Sequence, residues 1–238
     1  DNPLTSRTGN PIFDKLIANM VYVGGGTFDM GATPEQELFA EANERPVHKV
    51  TLSSFYICKY EVTQDLWEEV MGENPSYHKG SNLPLEDVSW KDCRAFIKTL
   101  NAKTGMNFRM PTEAEWEWAA KGGTEYKWAG TNERSKLENY AWYSANSNNQ
   151  THEVKKKQPN GYGLYDMSGN VWEWCWDWYS SSTPTGGQDP TGAASGDARV
   201  VRGGCWFHDA DIAARAFRGH DDPGNRSGDL GLRLVSRP

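Results

Sequence analysis

The chain of 238 residues is poor in cysteine, in long apolar runs and in clustered basic residues. Its four cysteines lie far apart and form no C-x-x-C pair: Cys58, Cys93, Cys175 and Cys205. This spacing excludes a small domain stapled by disulfides, and we expect buried thiols that pack as small apolar side chains. No window approaches the roughly 18 consecutive apolar residues of a membrane-spanning helix.

The charge balance argues against a nucleic-acid partner. The formal net charge is -7, and the one basic run, at 155–157, is typical of a solvated loop. Proteins that bind nucleic acid neutralise phosphates with clustered Lys and Arg, and the sequence has no such cluster. With 37% hydrophobic residues and 11 Trp, the chain is long enough to bury one sizeable core.

A further deficit is confined to the end of the chain. Every Lys, Glu, Gln and Met lies at or before Gln188, so residues 189–238 contain none of these four types. Within that region, residues 204–230 follow neither the helical nor the strand period. An aspartate- and glycine-rich loop without special function is the plainest explanation, because composition bias at a carboxy terminus is common.

Local signals predict three helices and four strands in the first half of the chain. Thr63 precedes QDLWEEVMG, Ser89 precedes WKDCRAFIKTLNAKTG, and Thr112 and Glu115 in PTEAEWEWAAKGG form a capping box. MVYVGGGTFDMG indicates two strands around a glycine turn, and VHKVTLSSFYICKYEVT indicates two more that pair with each other. The Asn-, Pro- and Thr-rich residues 1–18 predict an amino-terminal arm before a single domain over 19–238.

Six motifs, in order, resemble those of the formylglycine-generating-enzyme family. They are GGTFDMG, ERPVHKVTLSSFYICKYEVT, LPLEDVSW, RMPTEAEWEWAAKGG, NGYGLYDMSGNVWEWCWDWY, and RVVRGG with GLRL. The resemblance covers residues 20–236 and implies an α+β, C-type lectin-like fold of the formylglycine-generating-enzyme subtype. Such a fold has small twisted antiparallel sheets, two to three helices and long loops. Function is a separate question, because one fold hosts many sites.

The residues that carry the family's chemistry are missing. The family's enzymes use a cysteine pair a few residues after the Gly-Gly that here is Gly203-Gly204, where this chain has WFHDADIAARAF. Cys205 comes too early for that pair and no cysteine follows it, so we expect no formylglycine-generating activity and no catalytic residues. An iron-dependent branch of the fold uses three histidines and a helical partner domain. The five histidines here are scattered without H-x-x-x-H spacing and predict surface or core-edge positions: His48, His78, His152, His208 and His220.

The turn YDMSGNVWEW permits two interpretations. Asp166 and Glu173 offer carboxylate oxygens, and Gly169 and Val171 offer backbone carbonyls, which together suit calcium. These positions match the calcium-ligand positions that the resemblance implies. The alternative is a tight turn in which the two carboxylates accept backbone hydrogen bonds. Apart from this structural calcium, no cofactor is required.

The irregular segment has a codon pattern. Many of its residues can be encoded by codons that arise from an Asn codon, or for Cys205 a Ser codon, when only adenines change. Lys, Glu, Gln, Met and Trp cannot arise in this way. The residues with this property, which we call the variable positions, are Cys205, Phe207, His208, Asp209, Asp211, Ile212, Ala214, Phe217, Gly219, His220, Asp221, Asp222, Gly224, Ser227, Gly228 and Asp229. The framework between them includes Trp206, Ala210, Arg218, Pro223, Arg226 and Leu230.

This pattern resembles the variable region of diversity-generating retroelement proteins, those of Treponema in particular, with the region at about 199–234. In such proteins a reverse transcriptase copies a template repeat and mutates its adenines. One departure is Leu232, where the usual ending has Phe. The resemblance implies a rigid scaffold that displays a varied surface, with Phe207, Ile212 and Phe217 pointing outward or into a shallow pocket. Trp172, Trp174, Trp206, Leu232 and Leu234 are then expected in the core.

The expected partner is an unidentified ligand, either a protein or a cell-surface molecule, bound by a monomer. Because the chain starts at Asp1 without a signal peptide, we expect a processed form whose targeting segment is missing. Contact with a membrane would be made only through a lost amino-terminal lipid anchor. That anchor would make the protein a lipoprotein at the cell surface or in the periplasm. Two alternatives stay open: a family enzyme of other chemistry, and a lectin-like protein of fixed specificity.

Overall fold

The computed structural model describes residue 4, residues 7–183 and residues 186–238, apart from the side chains of 37–39. The described residues form four α-helices: α1 (Pro11–Ala18), α2 (Gln64–Met71), α3 (Trp90–Thr104) and α4 (Glu113–Lys121). Short 3-10 helices span Pro34–Phe39, Ala42–Glu44 and Arg134–Asn139. The strands are β1 (Met20–Val23), β2 (Gly26–Met30), β3 (His48–Leu52), β4 (Phe55–Cys58), β5 (Phe108–Arg109), β6 (Trp172–Trp178), β7 (Gly187–Gln188), β8 (Arg199–Arg202), β9 (Gly219–Asp221), β10 (Leu230–Gly231) and β11 (Val235–Ser236).

The three predicted helices start and end where the sequence signals place them. In α3 the Ser89 hydroxyl accepts from the Asp92 backbone N–H at 3.0 Å, and the Asp92 carboxylate accepts from Ser89 N–H at 2.9 Å. Thr112 and Glu115 make the same reciprocal pair at the start of α4. Helix α2 ends at Gly72, whose φ of 78° is left-handed. Side-chain oxygens that satisfy free backbone donors therefore fix these boundaries locally.

Helix α1 was not predicted, and it changes the boundary of the domain. Asn10 caps this helix by accepting from the backbone N–H groups of residues 12 and 13, and Pro11 occupies its first turn. Phe13, Leu16 and Ile17 are buried in the main core. The expected arm over 1–18 is thus replaced by a packed helix from residue 11, because Asn-Pro acts here as a helix start and not as a loop.

Strands β1 and β2 are joined by a short turn but belong to different sheets, and the same is true of β3 and β4. One sheet has the order β1-β4-β11-β5, a second β10-β6-β8-β9, and a third β2-β3-β7. The expected pairing of β3 with β4 is wrong, since β3 pairs with β2 and β4 with β1. Both connections cross between sheets at one point, where a Cβ on Gly25 would lie 2.3 Å from the Leu52 carbonyl oxygen. Only glycine fits such an approach.

The sheet β1-β4-β11-β5 is wholly antiparallel, as predicted, but the other two sheets are mixed. Strand β10 runs parallel to β6, and β7 runs parallel to β3. Long loops connect these partners, and parallel neighbours need such crossovers because a tight hairpin cannot join them. The mixed sheets are a correction within the predicted α+β class.

The tryptophan-rich strand β6 lies at the centre of the molecule. Trp174, Leu232 and Leu234 are fully buried and Trp172 is 8% exposed, as predicted. Trp206 is the exception, because it packs against the edge of the core and stays half-buried. Its indole Nε1 donates to the Gly228 carbonyl at 3.1 Å, which keeps one side of the ring at the surface. All four cysteines are buried free thiols, which confirms that expectation.

A buried network of ion pairs joins helix α4 to the irregular segment. The Glu113 carboxylate accepts from Arg202 Nε at 3.0 Å and from Arg218 Nη2 at 3.0 Å. On the next turn, Glu117 accepts from Arg202 Nη1 at 3.2 Å and lies 3.6 Å from Arg215 Nη1. Burial alone would raise the pKa of Glu113, but Arg202 and Arg218 lower it, so this carboxylate stays ionised. We call these five residues the arginine–glutamate network.

Replacing Glu113 by Gln should destabilise the fold strongly. The substitution leaves the buried Arg218 without its anionic partner and Arg202 with Glu117 alone, and breaking a buried pair in this way typically costs about 3–5 kcal/mol. Urea unfolding measures this free energy. Glu68→Gln is the matched control, because Glu68 is exposed on α2, and it should stay within about 0.5 kcal/mol of the parent. A loss below about 1 kcal/mol for Glu113→Gln would show that the network does not support the fold.

Candidate functional site

The irregular segment leaves the second sheet after β8, provides β9 of that sheet and rejoins it at β10. Gly203 and Gly204 turn the chain out of the sheet with φ values of 101° and 67°. A Cβ on Gly204 would lie 3.0 Å from the Ala213 Cα, so the segment folds back tightly on its own start. The return through β9 pairs Gly219 with Val201. Both ends of the segment are therefore fixed by regular structure.

Many framework positions of the segment face inward, whereas Arg226 is exposed and Trp206 and Pro223 are half-buried. Ala210, Ala213, Ala216, Arg215 and Arg218 are all buried. Their backbone is tied to other loops: Trp128 Nε1 donates to the Ala210 carbonyl at 2.7 Å, and the Ser168 hydroxyl donates to the Ala213 carbonyl at 2.8 Å. Because these bonds use the main chain, they hold the segment in place without constraining the residues between them.

The variable positions face outward, with two exceptions. Every one of them is exposed or half-buried except Cys205 and Ala214. Phe207 is 60% exposed, which is unusual for such a large apolar side chain. The codon pattern thus identifies positions that the fold mostly leaves accessible, whereas the framework contains buried residues together with the exposed Arg226.

A cavity of about 530 Å³ lies in the middle of this surface. The variable residues that line it are His208, Ile212, Phe217, Gly219, His220, Asp221, Ser227 and Asp229. Trp172, Val201 and Leu230 contribute apolar walls from the sheet. A concave site of this size with an apolar floor and polar walls can accept a small molecule or a protruding side chain of a partner.

Sequence reasoning missed part of the cavity wall. Glu41 and Asn43 line it from a 3-10 region far away in sequence. Asn43 is held there because its Nδ2 donates to the Arg218 carbonyl at 3.2 Å, and Arg218 Nη1 donates back to the Asn43 carbonyl at 2.7 Å. No local signal marks these residues, since only the folded chain brings them to the segment.

The three apolar variable residues differ in environment. Phe207 points into solvent and contacts only the edges of Trp206 and His208 rings among the aromatic groups of the described residues. Phe217 tilts against Trp172, with ring centroids 5.9 Å apart, and Ile212 packs on the core edge. Phe207 is thus a surface anchor, whereas Ile212 and Phe217 form the apolar side of the cavity.

The residues expected to hold calcium already have several partners within the protein. Both Glu173 oxygens are occupied: Oε1 accepts from Trp116 Nε1 at 3.0 Å and from Arg233 Nε at 2.9 Å, and Oε2 from Arg233 Nη2 at 3.0 Å. The positive Arg233 opposes a second cation at the same oxygens. Asp166 accepts from Lys155 N–H at 3.1 Å, and burial raises its pKa to about 6.

The backbone residues of that turn are also in structural use. Gly169 bridges to Trp142, and its N–H donates to the Gly203 carbonyl at 2.7 Å, while Val171 is fully buried. A tight turn accounts for the bonds of Glu173 to Arg233, whereas the buried Asp166 Oδ1 has no hydrogen-bond partner among the described residues, so the calcium site stays a prediction. Sequence reasoning assigned no role to Arg233, because nothing local pairs it with a residue sixty positions earlier.

Substitutions at Phe207 and Trp174 should separate surface from core. Phe207→Asn removes an exposed ring and should change the free energy of unfolding by less than about 0.5 kcal/mol. Trp174→Ala opens a cavity beneath the sheet and should cost about 3–5 kcal/mol. Denaturant midpoints of both variants measure the difference. Equal losses would mean that Phe207 belongs to the packed core.

Comparison with known proteins agrees with the architecture. The sulfatase-modifying factor enzyme 1-like domain, FGE-sulfatase, matches residues 10–238. The solved structure of Treponema denticola variable protein 1 is 39% identical, with a TM-score of 0.86 over 92% of this chain and 95% of that chain. The chaperone protein LppX of Paenibacillus barcinonensis is 34% identical over 91% of this chain and 89% of that protein. The formylglycine-generating enzyme of Thermomonospora curvata is 28% identical over 94% of this chain and 95% of that protein.

These similarities confirm the fold predicted from the motifs and the resemblance to a Treponema variable protein. The match from residue 10 also includes helix α1, in agreement with its packing against the core. The chain belongs to the FGE-sulfatase family of sulfatase-modifying factor enzyme 1-like domains.

Proposed function

We propose that this protein is a ligand-binding display protein whose segment at about 205–229 is diversified by adenine-directed retroelement mutagenesis. The observation that carries the proposal is that all variable positions except Cys205 and Ala214 are exposed or half-buried, on a segment that buried framework residues such as Ala210, Arg215 and Arg218 hold in place. Similarity to a protein named as variable supports the same conclusion. A fixed lectin-like site would have no reason to restrict its exposed residues to types reachable from Asn codons.

The physical basis of such a function is preorganisation. The main-chain bonds of the framework and the arginine–glutamate network fix the segment before any ligand arrives. A surface that is already ordered loses little conformational entropy on binding, so new side chains can provide affinity at once. Aromatic and aliphatic residues beside Asp, Ser and Gly combine apolar anchors with adaptable polar contacts, as paratopes do.

The displayed surface of this variant favours a basic partner. Its charged variable residues are all acidic: Asp209, Asp211, Asp221, Asp222 and Asp229. Among these five, Asp211 alone forms ion pairs within the described part of the chain, with Lys127 Nζ at 3.8 Å and Arg134 Nη1 at 3.6 Å. We propose a protein or cell-surface molecule that presents cationic groups around an apolar protrusion for the cavity. Complementary charge of this kind raises specificity and association rate.

Formylglycine generation is not part of the proposal, although the family contains enzymes with that name. The cysteine pair is missing from its place after Gly204, and Cys205 is buried. Burial and the Asp229 carboxylate raise the pKa of the Cys205 thiol, so it stays protonated and is a poor nucleophile. The proposed protein therefore binds and does not catalyse.

For location we propose the cell surface or the periplasm, reached as a lipoprotein monomer. Among the described residues, no helix has the length and apolar character needed to cross a membrane. A lipid on an amino-terminal cysteine outside this sequence would supply the anchor. Display to external ligands requires such a position.

The DNA beside the gene tests the diversification directly. It should contain a near-copy of the stretch encoding residues 199–234, differing from it at adenines of the copy, and a reverse-transcriptase gene close by. Adenines should fall in the codons of the variable positions and be rare in those of the framework. Sequencing the gene region measures all three features. A flank without the repeat and the reverse transcriptase contradicts retroelement diversification and leaves a binding protein of fixed specificity.

A further inference from the structure

Three side chains with metal-ligating atoms converge at the edge of the cavity. The Sγ atom of Cys205, a ring nitrogen of His208 and a carboxylate oxygen of Asp229 all lie within 4.8 Å of one another. The Cys205 Sγ is 3.5 Å from Asp229 Oδ2. Around a tetrahedral zinc ion, with bonds of about 2.3 Å to sulfur and 2.1 Å to oxygen, these two ligand atoms lie about 3.6 Å apart.

From this geometry we propose that Cys205, His208 and Asp229 bind a zinc ion within the display surface. Thiolate, imidazole and carboxylate are ligands of Zn²⁺, and a set that includes a soft sulfur disfavours calcium and magnesium. The inference goes beyond the proposed function and does not depend on it. A metal site can exist whether or not the segment is diversified.

The backbone holds the three ligands on two linked segments. His208 N–H donates to the Cys205 carbonyl at 3.3 Å, so these two residues lie on one turn. Trp206 N–H donates to the Asn170 carbonyl at 2.8 Å, which fixes that turn to the scaffold. The backbone of Asp229 is held to strand β6, because its carbonyl accepts a hydrogen bond from Trp172 N–H at 2.7 Å. The indole of Trp206 bridges the two segments through its bond to Gly228.

Contacts with neighbouring side chains hold the proposed ligands in fixed orientations. The Ser227 hydroxyl donates to Asp229 Oδ1 at 2.5 Å, which leaves Oδ2 directed at Cys205. The His208 ring is flanked by the rings of Trp172 and Phe207, with centroids 5.6 and 5.5 Å away. Partners of this kind raise metal affinity because they hold each ligand in its binding orientation.

Metal binding also accounts for the buried thiol. Without a metal, the Cys205 S–H donates to Asp229 Oδ2. The ion would replace that proton, which leaves to solvent, and the sulfur would bind as thiolate. His208 and Asp229 line the cavity, whereas Cys205 lies behind them. The fourth coordination position therefore opens toward the cavity, where a water molecule or a donor group of a ligand can occupy it.

Equilibrium dialysis of the reduced full chain against Zn²⁺ at low concentration, after treatment with a chelator, tests the inference. We expect one tightly bound ion, and loss of affinity by at least about tenfold in each of Cys205→Ser, His208→Asn and Asp229→Asn. His220→Asn is the matched control, since His220 lines the same cavity but lies outside the cluster, and it should bind zinc as the parent does. Circular dichroism of each variant checks that it is folded.

Cobalt binding provides a second readout, because its absorption spectrum reports whether the Cys205 sulfur is a ligand, whereas the amount of bound zinc does not. Co²⁺ in place of zinc should give a thiolate-to-metal charge-transfer absorption that disappears in Cys205→Ser and persists in His220→Asn. No retained zinc, or equal loss in all four variants, would overturn the inference. Neither result bears on the template repeat in the flanking DNA, so failure of the zinc site and failure of the display proposal are distinguishable.

Discussion

The buried ion pairs between helix α4 and the framework arginines are the interaction on which the display surface depends. Arg215 and Arg218 belong to the irregular segment, and both reach under it to carboxylates of α4. Their guanidinium groups also donate to backbone carbonyls, including those of Tyr126 and Asn43. These bonds hold the irregular segment in one conformation, although it contains almost no regular secondary structure. Arginine suits this role because its planar group donates several bonds at once and stays charged when buried.

The network separates stability from specificity. The buried framework side chains, Arg215 and Arg218 among them, make the energetic contacts, while the exposed variable side chains between them contribute little to the core. In many binding sites the same residues contribute to both stability and specificity, so a substitution that changes binding also destabilises the fold. Here the alternation of small buried alanines with exposed residues lets the surface change while the backbone stays in place. The zinc ligands would then be one chemical outcome of variation on a constant support.

Local chemistry made the helices predictable. Ser89, Thr112 and Gly72 act through neighbours within one turn, so their residue types alone indicate where α2, α3 and α4 begin or end. The sheets were less predictable because pairing depends on residues far apart in sequence, as the joining of β10 to β6 shows. Helix α1 was missed because its Asn-Pro start resembles a loop until its apolar side is seen packed in the core.

The site was predictable to a similar degree and for related reasons. The codon pattern identified which positions face outward, since tolerance of many residue types requires exposure, but it could not show that Cys205 and Ala214 are buried. The calcium expectation stays a prediction, because a carboxylate in a turn suits a cation or an arginine equally well, and only the fold brings Arg233 to Glu173. The convergence of Cys205, His208 and Asp229 likewise needs the folded chain.

A comparison of two libraries tests the central claim that the fold is independent of the variable side chains. One library randomises five variable residues that are exposed or half-buried: Phe207, His208, Asp209, Asp221 and Asp222. The other randomises the buried framework residues Ala210, Ala213, Arg215, Ala216 and Arg218. Resistance to proteolysis measures the folded fraction of each. The account predicts that most members of the first library stay folded and most of the second do not; similar folded fractions in the two would contradict it.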